Sequence, residues 1–478
     1  MKSIDPLLDG WQQTLRSAKD RPAVLNSHGE ILRKFRDIEE RARDFEAKLE
    51  MFRAGSVIAI QVGNHEEWPS ILIACLRRHL VVLPLEQSMN EQQCDAALNL
   101  CRASAVVSAV PKGDSPRIIQ LKTPDATADW DRQPSLLKLT SGPTAAPRAI
   151  RFRSHQLLAD CNQICETMGI SDADLNFGVI PISHSYGFSN LLTPLIARGV
   201  SMAVSGDRTP RAILSDLLLS NATVFPGMPV FYQAFCEMEH VPVLPRLRLC
   251  ISAGAPLPRL VAKRFREKFN LPIHSFYGAS ECGGICYDHE TTNESVGFVG
   301  QPMEGVGIEL PDPNAAASQI QVRSAAVADG YFPDPNEEKL SNGIFVPDDL
   351  LARDDSGFTI AGRISDLINV AGKKVNPAEV EAHLLRFSGV RQAVVFGRPA
   401  GAGLRNEEVA ACVVVSTHVT EGDLLRFCRT ALSAWQVPKR IFIMDVIPVN
   451  ERGKIRRRDL ARRFSTTGAS SPLPRLGS

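Results

Sequence analysis

Between Val57 and Leu85 the chain passes from a short apolar run through a helical stretch to a second apolar run, and this pattern recurs farther along. Such alternation restricts the fold to parallel sheets with helices on their faces. Val57-Ile58-Ala59-Ile60-Gln61-Val62 reads as a buried strand, Ile71 to Leu80 as a helix and Val81-Val82-Leu83-Pro84-Leu85 as the next strand. Ala105 to Val110 predicts a further strand. Upstream, Leu32, Phe35, Ile38, Ala42, Phe45 and Leu49 fall at helical spacing with charges opposite, which predicts a surface helix. Residues 111–135 are polar and Pro-rich and read as a surface connection.

The α/β alternation resumes with strand-like Phe177 to Pro181 and helix-like Leu191 to Ala197. Strand candidates follow at Ala222 to Phe225, Leu247 to Ser252 and Ile273 to Tyr277, each ending in a Gly- or Pro-containing turn. Ligands of open α/β sheets gather at such strand ends. Beyond Gln319 the texture changes to short strands and acidic turns, such as Asp354-Asp355-Ser356-Gly357. Strands at Ala393 to Gly397, Val409 to Val415 and Ile441 to Val446 interleave with helices at Pro377 to Arg386 and Gly422 to Ser433, a small α+β domain. The fold class is therefore α/β: a large N-terminal domain of mixed parallel sheets with helices, plus a small α+β C-terminal domain. The expected bounds are 1–363, 364–463 and a disordered Ser-, Gly- and Pro-rich tail over 464–478.

With 478 residues, two or three domains are expected. A hydrophobic content of 44%, 22% charged residues and a formal net charge of +1 exclude a disordered chain and a globally basic nucleic-acid binder. The start has no apolar signal core and no run approaches a membrane span, so the expected location is cytoplasmic. Eleven scattered cysteines, including Cys161/Cys165 and Cys282/Cys286, lack a second matching pair or a His cluster and read as reduced thiols.

Chemistry concentrates first in Thr140-Ser141-Gly142-Pro143-Thr144-Ala145-Ala146-Pro147-Arg148, directly after Leu136-Leu137-Lys138-Leu139. A strand ending in small hydroxyl residues can turn backbone N–H groups toward a polyphosphate, and Arg148 can add a charged fork. The Walker pattern does not fit, because Pro147-Arg148 stands where G-K-[ST] is needed. On composition alone a plain Pro-rich turn fits equally well.

Further motifs follow in order, and together they resemble the AMP-forming adenylating superfamily of acyl-CoA synthetases, firefly luciferase and peptide-synthetase adenylation domains. Thr140 to Ala149 is similar to TSGTTGxPKG, Tyr277-Gly278-Ala279-Ser280-Glu281 to Y-G-x-T-E, and Pro347-Asp348-Asp349 to T-G-D. Gly362-Arg363-Ile364-Ser365-Asp366 is similar to the G-R-x-x-D hinge, Gly372 to Glu381 to G-x-x-V-x-P-x-E-V-E, and Gly453 to Leu460 to G-K-I-x-R-x-x-L. The likeness covers nearly the whole chain. It departs at Pro143, Ala145, Arg148 and Ala149, which remove a hydroxyl, a backbone donor and two glycines and exchange a lysine for a planar fork.

The resemblance implies ATP, Mg²⁺ and coenzyme A as cofactors and assigns roles to residues. Thr140, Ser141, Gly142, Thr144 and Arg148 would bind phosphate, and Ala253, Gly254 and Ala255 would give a close backbone edge beside an adenine stacked on Tyr277, with Gly278 and Ser280 in the same nucleotide site. Glu281 would hold Mg²⁺. Asp349 and Arg363 would bind ribose, Gly372 would line a pantetheine tunnel after a domain swing about Ser365, and Lys454 would bridge the substrate carboxylate and the α-phosphate. Read alone, each has a plainer role: a core tyrosine, turn acids, or a basic solvated face around Arg452, Lys454 and Arg456.

His184, in Pro181-Ile182-Ser183-His184-Ser185-Tyr186-Gly187, is similar to the P-L-x-H-x-x-G element bordering the acyl pocket and thioester path; a buried, satisfied histidine is the alternative. No Asp lies between Pro181 and Asn190 to pair an α-ammonium, which disfavours amino acids. The implied partners are a small carboxylic acid, fatty or aryl, and then coenzyme A or the phosphopantetheine of an acyl carrier protein, with no nucleic acid. A nucleotide- or acyl-binding protein that has lost catalysis stands as the third reading.

Overall fold

A computed structural model describes residues 5–109, 116–121, 130–140, 148–293, 295, 297–312, 315–334, 338–370, 372–399, 407–416, 418–448 and 457–464. Ser141, Gly142, Thr144 and Lys454, and the tail beyond Phe464, lie outside the described residues. The chain divides into two compact units: Met1–Pro313 with Ile320–Pro347 and Arg353–Thr359, and Asn314–Gln319 with Asp348–Ala352 and Ile360–Ser478.

Two large sheets organise the first unit. In one, the strands lie in the order Gly330–Phe332, Arg148–Phe152, Leu136–Thr140, Val81–Pro84, Val57–Gln61, Ala103–Ser108 and Arg117–Gln120. The four from Leu136–Thr140 to Ala103–Ser108 run parallel. Antiparallel partners close both edges. The expected βαβ unit is present, joined by the helix Trp68–Arg77. That helix begins before the predicted Ile71 because Trp68 and Pro69 are themselves buried and start the first turn. Residues 111–135 hold more than a connection, since Arg117–Gln120 pairs with the sheet edge; its mostly exposed side chains conceal the strand from an apolar search.

Nine strands of the other sheet follow the order Ile31–Lys34, Pro22–Leu25, Ser201–Val204, Leu175–Gly178, Val224–Gly227, Leu249–Ser252, Ile273–Ala279, Gly283–Tyr287 and Phe298–Pro302. From Pro22–Leu25 to Ile273–Ala279 the neighbours are parallel. Leu32 was expected to open a helix but lies in a strand, and the helix is Phe35–Lys48. Lys34 is extended and donates its N–H to the Asp37 carboxylate at 2.7 Å, so this cap, rather than the apolar period, sets the start. The stripe Phe35, Ile38, Ala42, Phe45 is buried as its spacing requires.

Helices Pro210–Ser220, Pro229–Glu237 and Arg259–Phe269 cover one core, in which Tyr232 meets Phe225, Phe235 and Phe265 edge-on or tilted at 5.1–6.3 Å. Truncating one such buried aromatic to alanine costs about 3–5 kcal/mol.

In the second unit, Val390–Pro399 pairs antiparallel with Glu407–Val415, which pairs parallel with Arg440–Met444. Helices Pro377–Leu384 and Glu421–Ala431 pack on this sheet through Val380, Leu384, Leu424 and Cys428. Asn376 and Thr420 cap them from their side chains, and Pro377 sits at the first helical position. Arg457 fastens the last helix, Arg457–Arg463, by donating to Asp366 at 2.7 Å and to both Glu381 oxygens at 2.9 and 3.2 Å.

Candidate active site

In the first unit the expected residues come from the carboxyl ends of parallel strands, where unpaired backbone and short turns leave room for a ligand. Leu136–Thr140 delivers Thr140, Leu249–Ser252 delivers Ala253, Gly254 and Ala255, and Ile273–Ala279 delivers Tyr277, Gly278, Ser280 and Glu281. The exit from Leu175–Gly178 delivers His184.

Thr140 and Arg148 are antiparallel partners, and the Thr140 hydroxyl donates to the Arg148 carbonyl at 3.2 Å. This closes the base of the phosphate-loop candidate. Arg148 lays its guanidinium over the Tyr331 ring, 4.1 Å from the centroid. The Tyr331 hydroxyl in turn donates to Glu281 Oε1 at 3.0 Å. A lysine has no plane with which to stack in this way.

The Glu281 turn is shaped by close backbone approach. A Cβ on Gly278 would lie 2.6 Å from the Gly283 carbonyl oxygen, and one on Gly283, at φ +71°, would lie 2.0 Å from Asp160 Oδ1. Asp160 accepts the Gly284 N–H at 3.0 Å and so pins the far side of the turn. Behind it sits Lys138, 5% exposed, its ammonium 4.5 Å from the Phe152 ring centroid and 5.6 Å from that of Phe188. Burial holds this ammonium below the usual lysine range, against the opposing pull of Asp160, Cys282 and Glu281. Cys282 is buried too, and desolvation pushes its thiol well up.

Ala253 is buried and its N–H donates to Gly227 O at 3.3 Å, while Gly254 takes φ +88°. Tyr277 is buried and pairs with Cys286 across the neighbouring strand.

His184 stands on a turn that only glycine can close. A Cβ at Gly187 would come 2.1 Å from the Pro181 carbonyl oxygen, and the His184 N–H donates to that oxygen at 3.0 Å. Asn64 clamps the same segment by donating to Gly178 O and Ile180 O at 2.7 and 3.0 Å and accepting from Ile182 N–H at 2.9 Å. The expected helix over 191–197 begins as a π-helical stretch, Phe188–Leu192, before the α-helix Thr193–Arg198. Such turns are frequent at functional sites. The histidine Nε2 lies 2.8 Å from Glu86 Oε1, at the exit of Val81–Pro84.

In the second unit Asp349 is 5% exposed and accepts from Arg363 Nε at 2.6 Å. Gly372 takes φ +87°, and its N–H donates to Asn369 Oδ1 at 3.1 Å. Ser365 lies in the 3₁₀ turn Ile364–Asp366.

Sequence comparison decides the family. The description "AMP-binding enzyme" matches residues 11–332, more than half of the chain, and "AMP-binding enzyme C-terminal domain" matches residues 379–454. The chain belongs to the AMP-binding enzymes. It is 28% identical over 473 residues to a probable CoA ligase, CCL9, of Humulus lupulus, covering 88% of this chain and 89% of that protein. It is 26% identical over 443 residues to a feruloyl-CoA synthase of Amycolatopsis sp, covering 86% and 89%. Its fold is that of ATP-bound MatB from Rhodopseudomonas palustris, with a TM-score of 0.83 and 21% identity over 96% of this chain and 99% of that one.

Four residues of this AMP-binding enzyme escape motif reading: Asn64, Glu86, Asp160 and Tyr331. Tyr331 follows Gly330 on an edge strand, and Glu86 closes Pro84-Leu85-Glu86 at a strand end; an acid or tyrosine at a strand terminus is the signal available, and it is a common one. Among the described residues, no helix is long and apolar enough to cross a membrane.

Proposed function

We propose that this AMP-binding enzyme activates a simple carboxylic acid, fatty or aryl, as its acyl-adenylate on a site built from Glu281, Tyr331, Arg148 and Tyr277, and then passes the acyl group to the thiol of coenzyme A. The observation that carries the reading is the Arg148–Tyr331–Glu281 chain, which gathers a cation and an oriented carboxylate beside the Thr140–Arg148 strand pair. A carboxylate resists nucleophiles because it is already anionic, and joining it to AMP supplies a leaving group. Positioning and charge neutralisation do most of that work.

Glu281 suits Mg²⁺: it is a hard oxygen donor whose orientation Tyr331 fixes, and one carboxylate together with substrate phosphates is the ordinary magnesium arrangement. The ion, when bound, neutralises charge on the phosphate oxygens. Arg148 holds the departing pyrophosphate. Asp349 accepts from the ribose hydroxyls with Arg363 beside it, and Lys454 bridges the acid and the α-phosphate. All eleven cysteines are free thiols, which supports a reducing, cytoplasmic setting.

The test is exchange of labelled pyrophosphate into ATP across a panel of fatty and aromatic acids, followed by detection of the CoA thioester. Acid-dependent exchange with thioester formation is expected. Tight ATP binding with no exchange for any acid would overturn the reading.

A further inference from the structure

A second cleft opens toward the other end of the strand that delivers Thr140. In the strand pair, Thr140 lies opposite Arg148 and Leu137 opposite Arg151, so Arg151 stands roughly 10 Å back from the base of the phosphate-loop candidate, at about 3.3 Å per residue. Around it lies a cavity of about 600 Å³, lined by Arg132, Arg151, Arg153, His155 and the stretch Val327–Asp329, all within the first unit. That is the size of a small-ligand site. None of the residues assigned above to the nucleotide, the acid or the thiol lines it.

The charges of the cleft do not balance one another. Three guanidiniums and the His155 ring meet two carboxylates, those of Asp131 and Asp329. Arg153 grips Asp329 through Nε and Nη2 at 2.6 and 2.8 Å, and Arg151 reaches Asp131 through Nη1 at 2.7 Å. Asp131 is 68% exposed, so that pair contributes little and yields to a stronger acceptor. Among the described residues, Arg153 Nη1 and Arg151 Nη2 make no hydrogen bond, and Arg132 forms no ion pair.

The same wall continues into the adenylation site. Asp329 N–H donates to Arg151 O at 3.0 Å, Ala328 N–H donates to Glu281 O at 2.9 Å, and Tyr331, two residues on, donates from its hydroxyl to Glu281 Oε1. Gln156 ties this stretch down by donating to Val327 O and Asp329 Oδ1 at 2.8 and 3.0 Å.

We propose that this cleft binds a small phosphate- or carboxylate-bearing anion among Arg132, Arg151 and Arg153, and that occupancy steadies the Asp329–Tyr331 stretch that orients Glu281. A guanidinium presents its donors in a fixed fork that suits oxyanions, and Arg153 can donate to such a ligand from Nη1 while it holds Asp329. A ligand that binds the arrangement in which Arg153 grips Asp329 stabilises that arrangement. The binding stands apart from the adenylation reading, whereas its effect on catalysis rests on it.

The experiment titrates inorganic phosphate, glucose 6-phosphate and succinate into the full-length enzyme by calorimetry, with the nucleotide site saturated by a non-hydrolysable ATP analogue and chloride at equal ionic strength as the control. Binding is expected, and whether the phosphates or succinate bind identifies the source of the anion. Arg132→Glu should weaken it by about tenfold or more, the effect of losing a bond to a charged group. Asp131→Asn removes the acceptor that competes for Arg151 and should tighten binding by about twofold or more, a gain that misfolding cannot mimic. In pyrophosphate exchange with free Mg²⁺ buffered, the anion that binds should lower the Mg²⁺ needed for half-maximal rate by about fivefold or more. Arg132→Glu should lose that response and keep the anion-free rate of wild type. No binding by any of the three anions overturns the site, as does binding that both variants leave unchanged. Binding with an unchanged Mg²⁺ requirement overturns the coupling. A wild type without exchange for any acid overturns the ligase reading, and calorimetry still decides the cleft.

Discussion

The Tyr331 hydroxyl donates to Glu281 across 3.0 Å, joining an edge strand of one sheet to the turn that leaves a strand of the other. Because Arg148 stacks on the same ring, one tyrosine orients both the carboxylate and the cation of the proposed phosphate end. Tyr331→Phe keeps the stack and removes the donor. A hydrogen bond to a charged group contributes about 1.5–3 kcal/mol, so pyrophosphate exchange should fall by roughly 10- to 100-fold, with a higher magnesium requirement. Titrating Mg²⁺ in the exchange assay checks this; an unchanged magnesium dependence counts against Glu281 as the ligand.

Arg363 donates to the buried Asp349 at 2.6 Å. Arg363→Ala removes a charge-assisted partner from an acid expected to receive the ribose hydroxyls, so the KM for ATP should rise by about tenfold or more with the KM for the acid little changed. Steady-state kinetics with each substrate varied separates the two; equal effects on both would place the pair outside the nucleotide site.

Lys454→Ala should abolish adenylate formation and leave thioester formation from supplied acyl-adenylate largely intact, since only the first step needs the bridging cation. Single-turnover measurement of each half-reaction decides it. Equal loss in both would remove Lys454 from its role in the first step alone.

Asp174 tests how the His184 strand is held. Burial by itself would raise its carboxyl, but Arg248 at 2.6 and 2.8 Å, the Ser171 N–H at 2.9 Å and the Thr223 hydroxyl at 2.8 Å bring it below the usual range. A carboxyl with a lowered folded pKa stabilises above its unfolded value and loses that contribution as pH falls through the folded one. Asp174→Asn should therefore cost about 2–3 kcal/mol at neutral pH, with Arg248 being half-exposed, and the gap to wild type should close below about pH 4. Urea unfolding at both pH values measures it.

Much of the fold was legible because buried parallel strands are apolar on both faces, and Val57–Gln61, Val81–Pro84 and Leu249–Ser252 all appear as apolar runs. Arg117–Gln120 was not legible, since an exposed edge strand needs no apolar residues. The start at Phe35 was lost because Leu32 happens to continue the helical period of the stripe behind it.

The chain by itself determined its alternating α/β architecture and the order of the motifs at Thr140, Tyr277 to Glu281, Asp349, Arg363 and Lys454, because these depend on residue type at short, fixed spacing. Only the tertiary structure decided that Tyr331 orients Glu281, that Asp160 braces the Glu281 turn and that Glu86 meets His184. These partners stand 50, 124 and 98 residues apart along the chain, the second measured to Gly284. Their meeting depends on which strands lie side by side, and local periodicity holds no record of that.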